Sequence, residues 1–247
     1  MTSLLFFGLL AALANAAGGF WLASDRFRPG LRALPFLLAI GAGFMLAAVF
    51  LQVLPKSVAL WPDSYAGPLA LTLAGYLLIQ FVEHTVVPHF HFGEETHTEA
   101  LLKTPAVVSA IAGLSIHTFF DGVTIAAGIV ADFKLGLLLF IAVMLHKIPE
   151  GFTVSSIVLA GGKSKQSARL ATIFVGLATL AGVIAVGTFR ASVGYALPFS
   201  AGVTLYVAAS DLLPEVNKQP GKMISVAVFG GVALYYLTEV LVEAAGW

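Results

Sequence analysis

The sequence predicts an all-α membrane protein of eight transmembrane helices, and three observations carry that prediction. Of 247 residues, 59% are hydrophobic and only 11% charged, against roughly 45–50% and about 25% in soluble domains. Eight stretches are apolar over about the 20 residues that cross a bilayer as a helix. The breaks between them are short and rich in turn-formers and charges, as at Ser24-Asp25-Arg26, Pro62-Asp63, Ala131-Asp132-Phe133-Lys134, Gly161-Gly162-Lys163 and Pro220-Gly221. No stretch is long and polar enough for a soluble domain, so residues 1–247 form a single polytopic unit.

In chain order the spans cover about 3–23, 33–54, 67–84, 104–131, 135–160, 168–189, 194–213 and 222–244. The first contains Ala14-Asn15-Ala16, which looks like a signal-peptide cleavage site, but it has no basic leader and stays apolar through Trp21 and Leu22. It is therefore read as a retained helix. Arg26, Arg28, Arg32, Lys103, Lys163, Lys165, Arg169, Lys218 and Lys222 fall on one side of the bundle, and Lys56, Lys134 and Arg190 on the other. The richer side is expected in the cytoplasm. Both termini then lie outside, with the loop from about 85 to 103 inside.

An internal repeat links spans far apart in the chain. Ala42-Gly43, Leu46 and Leu54-Pro55 recur 159 residues later as Ala201-Gly202, Leu205 and Leu213-Pro214. Gly75, Leu78 and Glu83 recur 156 residues later as Gly231, Leu234 and Glu239. Spans 1 and 6 match only weakly. Copies five spans apart cross the membrane in opposite directions, which is an inverted repeat, and spans 4 and 5 are left between them.

Those two central spans hold polar groups at mid-depth: His117 and Asp121 in the fourth, His146, Lys147 and Glu150 in the fifth. A charge at the bilayer centre costs about 2.5–3.5 kcal/mol on the mildest scales, so such groups need partners or a cavity. Each His precedes a carboxylate by four residues, which puts both on one helix face. The unit His117, Asp121, Gly122 recurs 29 residues on as His146, Glu150, Gly151. Two imidazoles and two carboxylates suit zinc or a neighbouring first-row divalent ion, whereas magnesium or calcium prefers oxygen alone. Two negative charges would balance the ion's two positive ones. Pro149 predicts a kink beside these ligands by displacing the Leu145 carbonyl. With no cysteine, a thiolate site is excluded. A competing structural reading makes Lys147, Asp121 and Glu150 a buried ion-pair network with the histidines as bystanders.

His117-Thr118-Phe119-Phe120-Asp121-Gly122 and His146-Lys147-Ile148-Pro149-Glu150-Gly151 resemble the signature patterns of the ZIP family of zinc and iron transporters. Eight spans, a histidine-bearing loop after span 3 and Leu-Pro endings to spans 2 and 7 (Leu54-Pro55-Lys56, Leu213-Pro214-Glu215) extend the resemblance over nearly the whole chain. It implies a three-two-three helix arrangement, a homodimer, and movement of zinc, or else cadmium, iron or manganese, toward the cytoplasm. The metal would be the transported substrate, with no catalytic cofactor, in a prokaryotic cytoplasmic membrane. Two departures fall where some relatives hold a second metal: Lys147 replaces a carboxylate and Thr118 replaces Asn. One transport metal is therefore expected, with the Lys147 ammonium in the second position. Asp211 follows Ser210 where relatives carry exit-path residues.

The loop after span 3 holds His84, His89, His91 and His97 among glutamates, a weak cytoplasmic metal-receiving site or simply a polar loop. Glu239 is expected to pair with a polar neighbour. Thirteen basic residues balance thirteen acidic ones and no basic run interleaves with aromatics, which excludes a nucleic-acid partner. The rival class is an intramembrane zinc-dependent hydrolase. It lacks H-E-x-x-H and a spare general base, so the chain is expected not to be an enzyme. No G-x-x-x-x-G-K-[ST] phosphate loop points to ATP.

Overall fold

The computed structural model describes residues 1–24, 34–85, 104–218 and 222–246, and no strand occurs among them. Eight helices in this set are long and apolar enough to cross a membrane: α1 (Thr2–Leu22), α2 (Pro35–Ala59), α3 (Ala66–Thr85), α4 (Thr104–Ala131), α5 (Phe133–Ala160), α6 (Lys165–Thr188), α7 (Arg190–Asn217) and α8 (Lys222–Ala244). The protein is thus an integral, multi-pass membrane protein. Phe81, Phe174, Phe229 and Leu241 are among the large apolar side chains left exposed on the outer faces, where lipid tails rather than water would meet them.

Two helix starts follow directly from local chemistry. The Asp132 carboxylate accepts the backbone N–H of Leu135 at 3.0 Å and opens α5, and the Ser164 hydroxyl accepts that of Ser167 at 3.1 Å and opens α6. Elsewhere the sequence misleads. Leu54-Pro55 and Leu213-Pro214 do not end their helices, which run on to Ala59 and Asn217. The turns before them, Val49–Val53 and Val207–Leu212, are π-helical. A proline lacks the N–H for the usual bond and crowds the carbonyl four residues back, and a widened turn absorbs both faults without breaking the helix.

The most extensive helix contacts are α4 with α6, α1 with α5, α3 with α7, and α2 with α8. Each is closed by a reciprocal pair of glycines. A Cβ on Gly122 would strike the Thr179 carbonyl, and one on Gly182 the Phe119 carbonyl. Gly151 meets Asn15 in the same way and Gly18 meets Ile148; Gly43 and Gly231 lock α2 to α8, and Gly75 and Gly202 lock α3 to α7. Only a missing side chain lets the backbones approach this closely. The set maps onto itself when α1 exchanges with α6, α2 with α7, α3 with α8, and α4 with α5. It also gives a register for the weak pair: Asn15 and Gly18 correspond to Thr179 and Gly182, 164 residues apart.

Candidate metal centre

His117 and Asp121 lie at the middle of α4, and His146 and Glu150 at the middle of α5; all four are buried. One ligand atom from each falls within 4.8 Å of every other. The i, i+4 spacing does what it predicts, turning each pair to one face, and the α4–α5 contact brings the faces together. His117 Nε2 is 3.3 Å from Asp121 Oδ2 and 3.7 Å from Glu150 Oε2, and His146 Nε2 is 3.4 Å from Asp121 Oδ2. Tetrahedral zinc with bonds of about 2.0–2.2 Å has ligand–ligand edges of roughly 3.3–3.6 Å; these three separations are close to that length, and the remaining ones stay within 4.8 Å.

The imidazoles are prepared for this as well. His146 Nδ1 lies 3.2 Å from the Ala142 carbonyl oxygen, and donating its proton there leaves the Nε2 lone pair facing Asp121. Neither ring nitrogen of His117 has a hydrogen-bond partner among the described residues, although the side chain is buried. A bystander histidine would be expected to satisfy at least one of them.

Lys147 is fully buried, with Nζ 2.7 Å from Asp121 Oδ2 and 2.8 Å from Glu150 Oε2. The ion-pair network considered from the sequence is therefore present, alongside the histidine arrangement rather than in place of it. It corrects the charge balance: with neutral imidazoles the cluster carries one net negative charge, not two. The remaining oxygen of Glu150, Oε1, accepts from Thr118 Oγ1 at 2.6 Å and from Asn15 Nδ2 at 2.5 Å. Asn15, on α1, was not singled out from the sequence. The Ala14-Asn15-Ala16 context reads as a cleavage site, and nothing short of the α1–α5 contact says which way its side chain faces.

The other candidates lie apart from the cluster or add no ligand to it. Pro149 is inside α5, which continues helically on both sides. Asp211 is buried in the π turn of α7. It lies against Glu83, whose carboxylate accepts from the Tyr206 hydroxyl at 3.0 Å. His84 sits at the end of α3 with Nδ1 2.8 Å from the Gln80 carbonyl oxygen. His89, His91 and His97 fall outside the described residues. Glu239 pairs with Lys134 at 3.8 Å, Glu243 pairs with the same ammonium, and Lys56 pairs with Asp132 at 3.7 Å. No third carboxylate joins the central cluster among the described residues.

Eight helices long and apolar enough to cross a membrane, packed around a buried cluster of two histidines and two carboxylates whose chemistry fits a metal ion, define a polytopic membrane protein. Residues 93–239 match the family model described as ZIP zinc transporter, and the chain belongs to that family. It is 31% identical over 157 residues to zinc transporter ZIP9 of Micropogonias undulatus, covering 58% of this chain and 49% of the relative. It is 31% identical over 159 residues to zinc transporter SLC39A7 of Rattus norvegicus, covering 58% and 34%. For zinc transporter zipt-7.2 of Caenorhabditis elegans the identity is 27% over 155 residues, covering 58% and 33%. The chain spans half or less of the length of these curated relatives.

Proposed function

We propose that the protein carries a divalent transition metal, zinc foremost, across the membrane toward the cytoplasm, with His117, Asp121, His146 and Glu150 as the ligands of one ion in transit. The observation that carries this reading is the convergence of four ligand atoms within 4.8 Å at mid-membrane, one of them on an imidazole with no other partner. Nitrogen and oxygen in equal number favour zinc over the harder magnesium and calcium; cadmium, iron and manganese are the competing substrates. Lys147 takes the place of a second cation, bridged by the same two carboxylates, with Thr118 fixing one of them. Pro149 and Asp211 belong to the pathway, Asp211 toward the exit, and His84, His89, His91 and His97 to a receiving loop.

The surrounding architecture is read as an inverted repeat in a three-two-three order. The exchange of helix contacts and the matched π turns support the repeat. We further read a homodimer in a prokaryotic cytoplasmic membrane with both termini outside, supported by the family resemblance and the Lys/Arg asymmetry.

Uptake of a metal panel into proteoliposomes tests the reading. Zinc should enter protein-containing vesicles, and Asp121→Ala and Glu150→Ala should each abolish entry in protein that still folds. Near-normal flux in either variant would overturn the site.

A further inference from the structure

Glu150 is held asymmetrically, and a residue on α1, outside the two ligand-bearing helices, supplies one of its three donors. Oε1 accepts from Asn15 Nδ2 and Thr118 Oγ1, while Oε2 faces the cluster, accepting from Lys147 Nζ at 2.8 Å and lying 3.7 Å from His117 Nε2. A carboxylate oxygen has about two acceptor positions, so Oε1 is filled and only Oε2, with one position free beside Lys147, is left to reach an ion. Asn15 is fully buried, and its Oδ1 has no hydrogen-bond partner among the described residues. An amide buried with one end unpaired is costly, and packing alone would favour an apolar side chain there. The related position, Thr179 on α6, has no such bond: its hydroxyl is buried without a partner among the described residues. The brace is thus specific to Glu150.

We infer that Asn15 is a positioning residue that confines Glu150 to one-oxygen coordination and so sets the preference of the site for a small four-coordinate cation over larger ions. Zinc needs four ligands and is served by one oxygen from each carboxylate. Ions that favour six or more oxygens, manganese among them, gain from a carboxylate that turns to offer both. Freeing Oε1 therefore helps the larger ion more. The inference rests on the metal-carrier reading and adds a determinant of selectivity to it.

The test uses the full chain purified in detergent, with dissociation constants for Zn2+ and Mn2+ measured by equilibrium dialysis and the zinc shell by X-ray absorption. Asn15→Ala should lower the zinc-over-manganese preference by about ten-fold, a change of one donor bond's size, and raise the coordination number of the bound metal. Thr118→Val removes the second donor to the same oxygen with little change of shape, should shift the ratio in the same direction, and keeps the test informative if Asn15→Ala does not fold. A ratio unchanged within about two-fold in the folded variants, with wild-type protein binding zinc, overturns the role of Asn15 and leaves the carrier intact. If wild-type protein binds neither ion at the cluster, the carrier reading itself falls.

Discussion

Lys147 is the residue on which the chemistry of the site turns. Its ammonium contacts the same two carboxylate oxygens that face the histidines, so a cation bound as proposed would share ligands with Lys147 and be repelled by it. Two unit charges about 4 Å apart interact by roughly 4 kcal/mol at an effective dielectric of 20, and a divalent ion doubles that to about 8 kcal/mol, enough to weaken binding substantially. Lys147→Ala should therefore tighten zinc binding by about ten-fold or more while leaving substantial uptake, as a lower KM in vesicle flux would show. Complete loss of uptake in folded protein would contradict the role of substitute cation. At this scale the sequence showed well which buried polar side chains share a helix face, because helical periodicity fixes the relative direction of His117 and Asp121, and of His146 and Glu150. It could not show Asn15, whose partner lies 135 residues away. Contacts of that kind depend on which helices meet, and a one-dimensional pattern does not contain that.

At the scale of single helices, glycine positions carry the clearest message. Gly230 and Gly231 are neighbours on α8 with opposite surroundings: a Cβ on Gly231 would strike the Ile40 carbonyl of α2, whereas one on Gly230 would meet nothing within 4 Å. Gly231→Ala should force the helices apart at an overpacking cost of about 1–3 kcal/mol. Gly230→Ala should be neutral or stabilising by up to about 1 kcal/mol, since alanine is the better helix former. Thermal unfolding of the two variants in one detergent checks this, and equal midpoints would show that the close α2–α8 approach is not needed for stability. The sequence placed all eight helices but ended α2 and α7 too early at Leu54-Pro55 and Leu213-Pro214. Proline is a good stop signal only when the preceding turn keeps its ordinary width, and the local sequence does not announce a π turn.

Over the whole molecule, the contacts divide the helices into two sets that cut across their order in the chain. α1, α4, α5 and α6 pack on one another, as do α2, α3, α7 and α8, and the sets meet mainly where α4 touches α7 and α5 touches α2. All four members of the central cluster, with Lys147, Thr118 and Asn15, belong to the first set. Lys134 reaches across to Glu239 and Glu243 on α8, and Lys56 of α2 to Asp132 at the start of α5, so ion pairs clasp the two sets at one face. A buried cation can reach both aqueous sides only if something moves, and the boundary between sets is the weaker seam. The chain has no cysteine, which makes paired cysteines clean probes. Lys134→Cys with Glu243→Cys, joined by a bifunctional methanethiosulfonate cross-linker that spans the length of the lost side chains, should fasten one set to the other and suppress zinc uptake several-fold, with recovery on reduction. Phe7→Cys with Phe140→Cys, joined by the same cross-linker, ties α1 to α5 within one set, where the rings now sit 4.8 Å apart between centroids, and should leave uptake largely intact. Equal inhibition by both pairs would mean that the helices around the ion rearrange among themselves, and equal tolerance that the seam stays closed during transport.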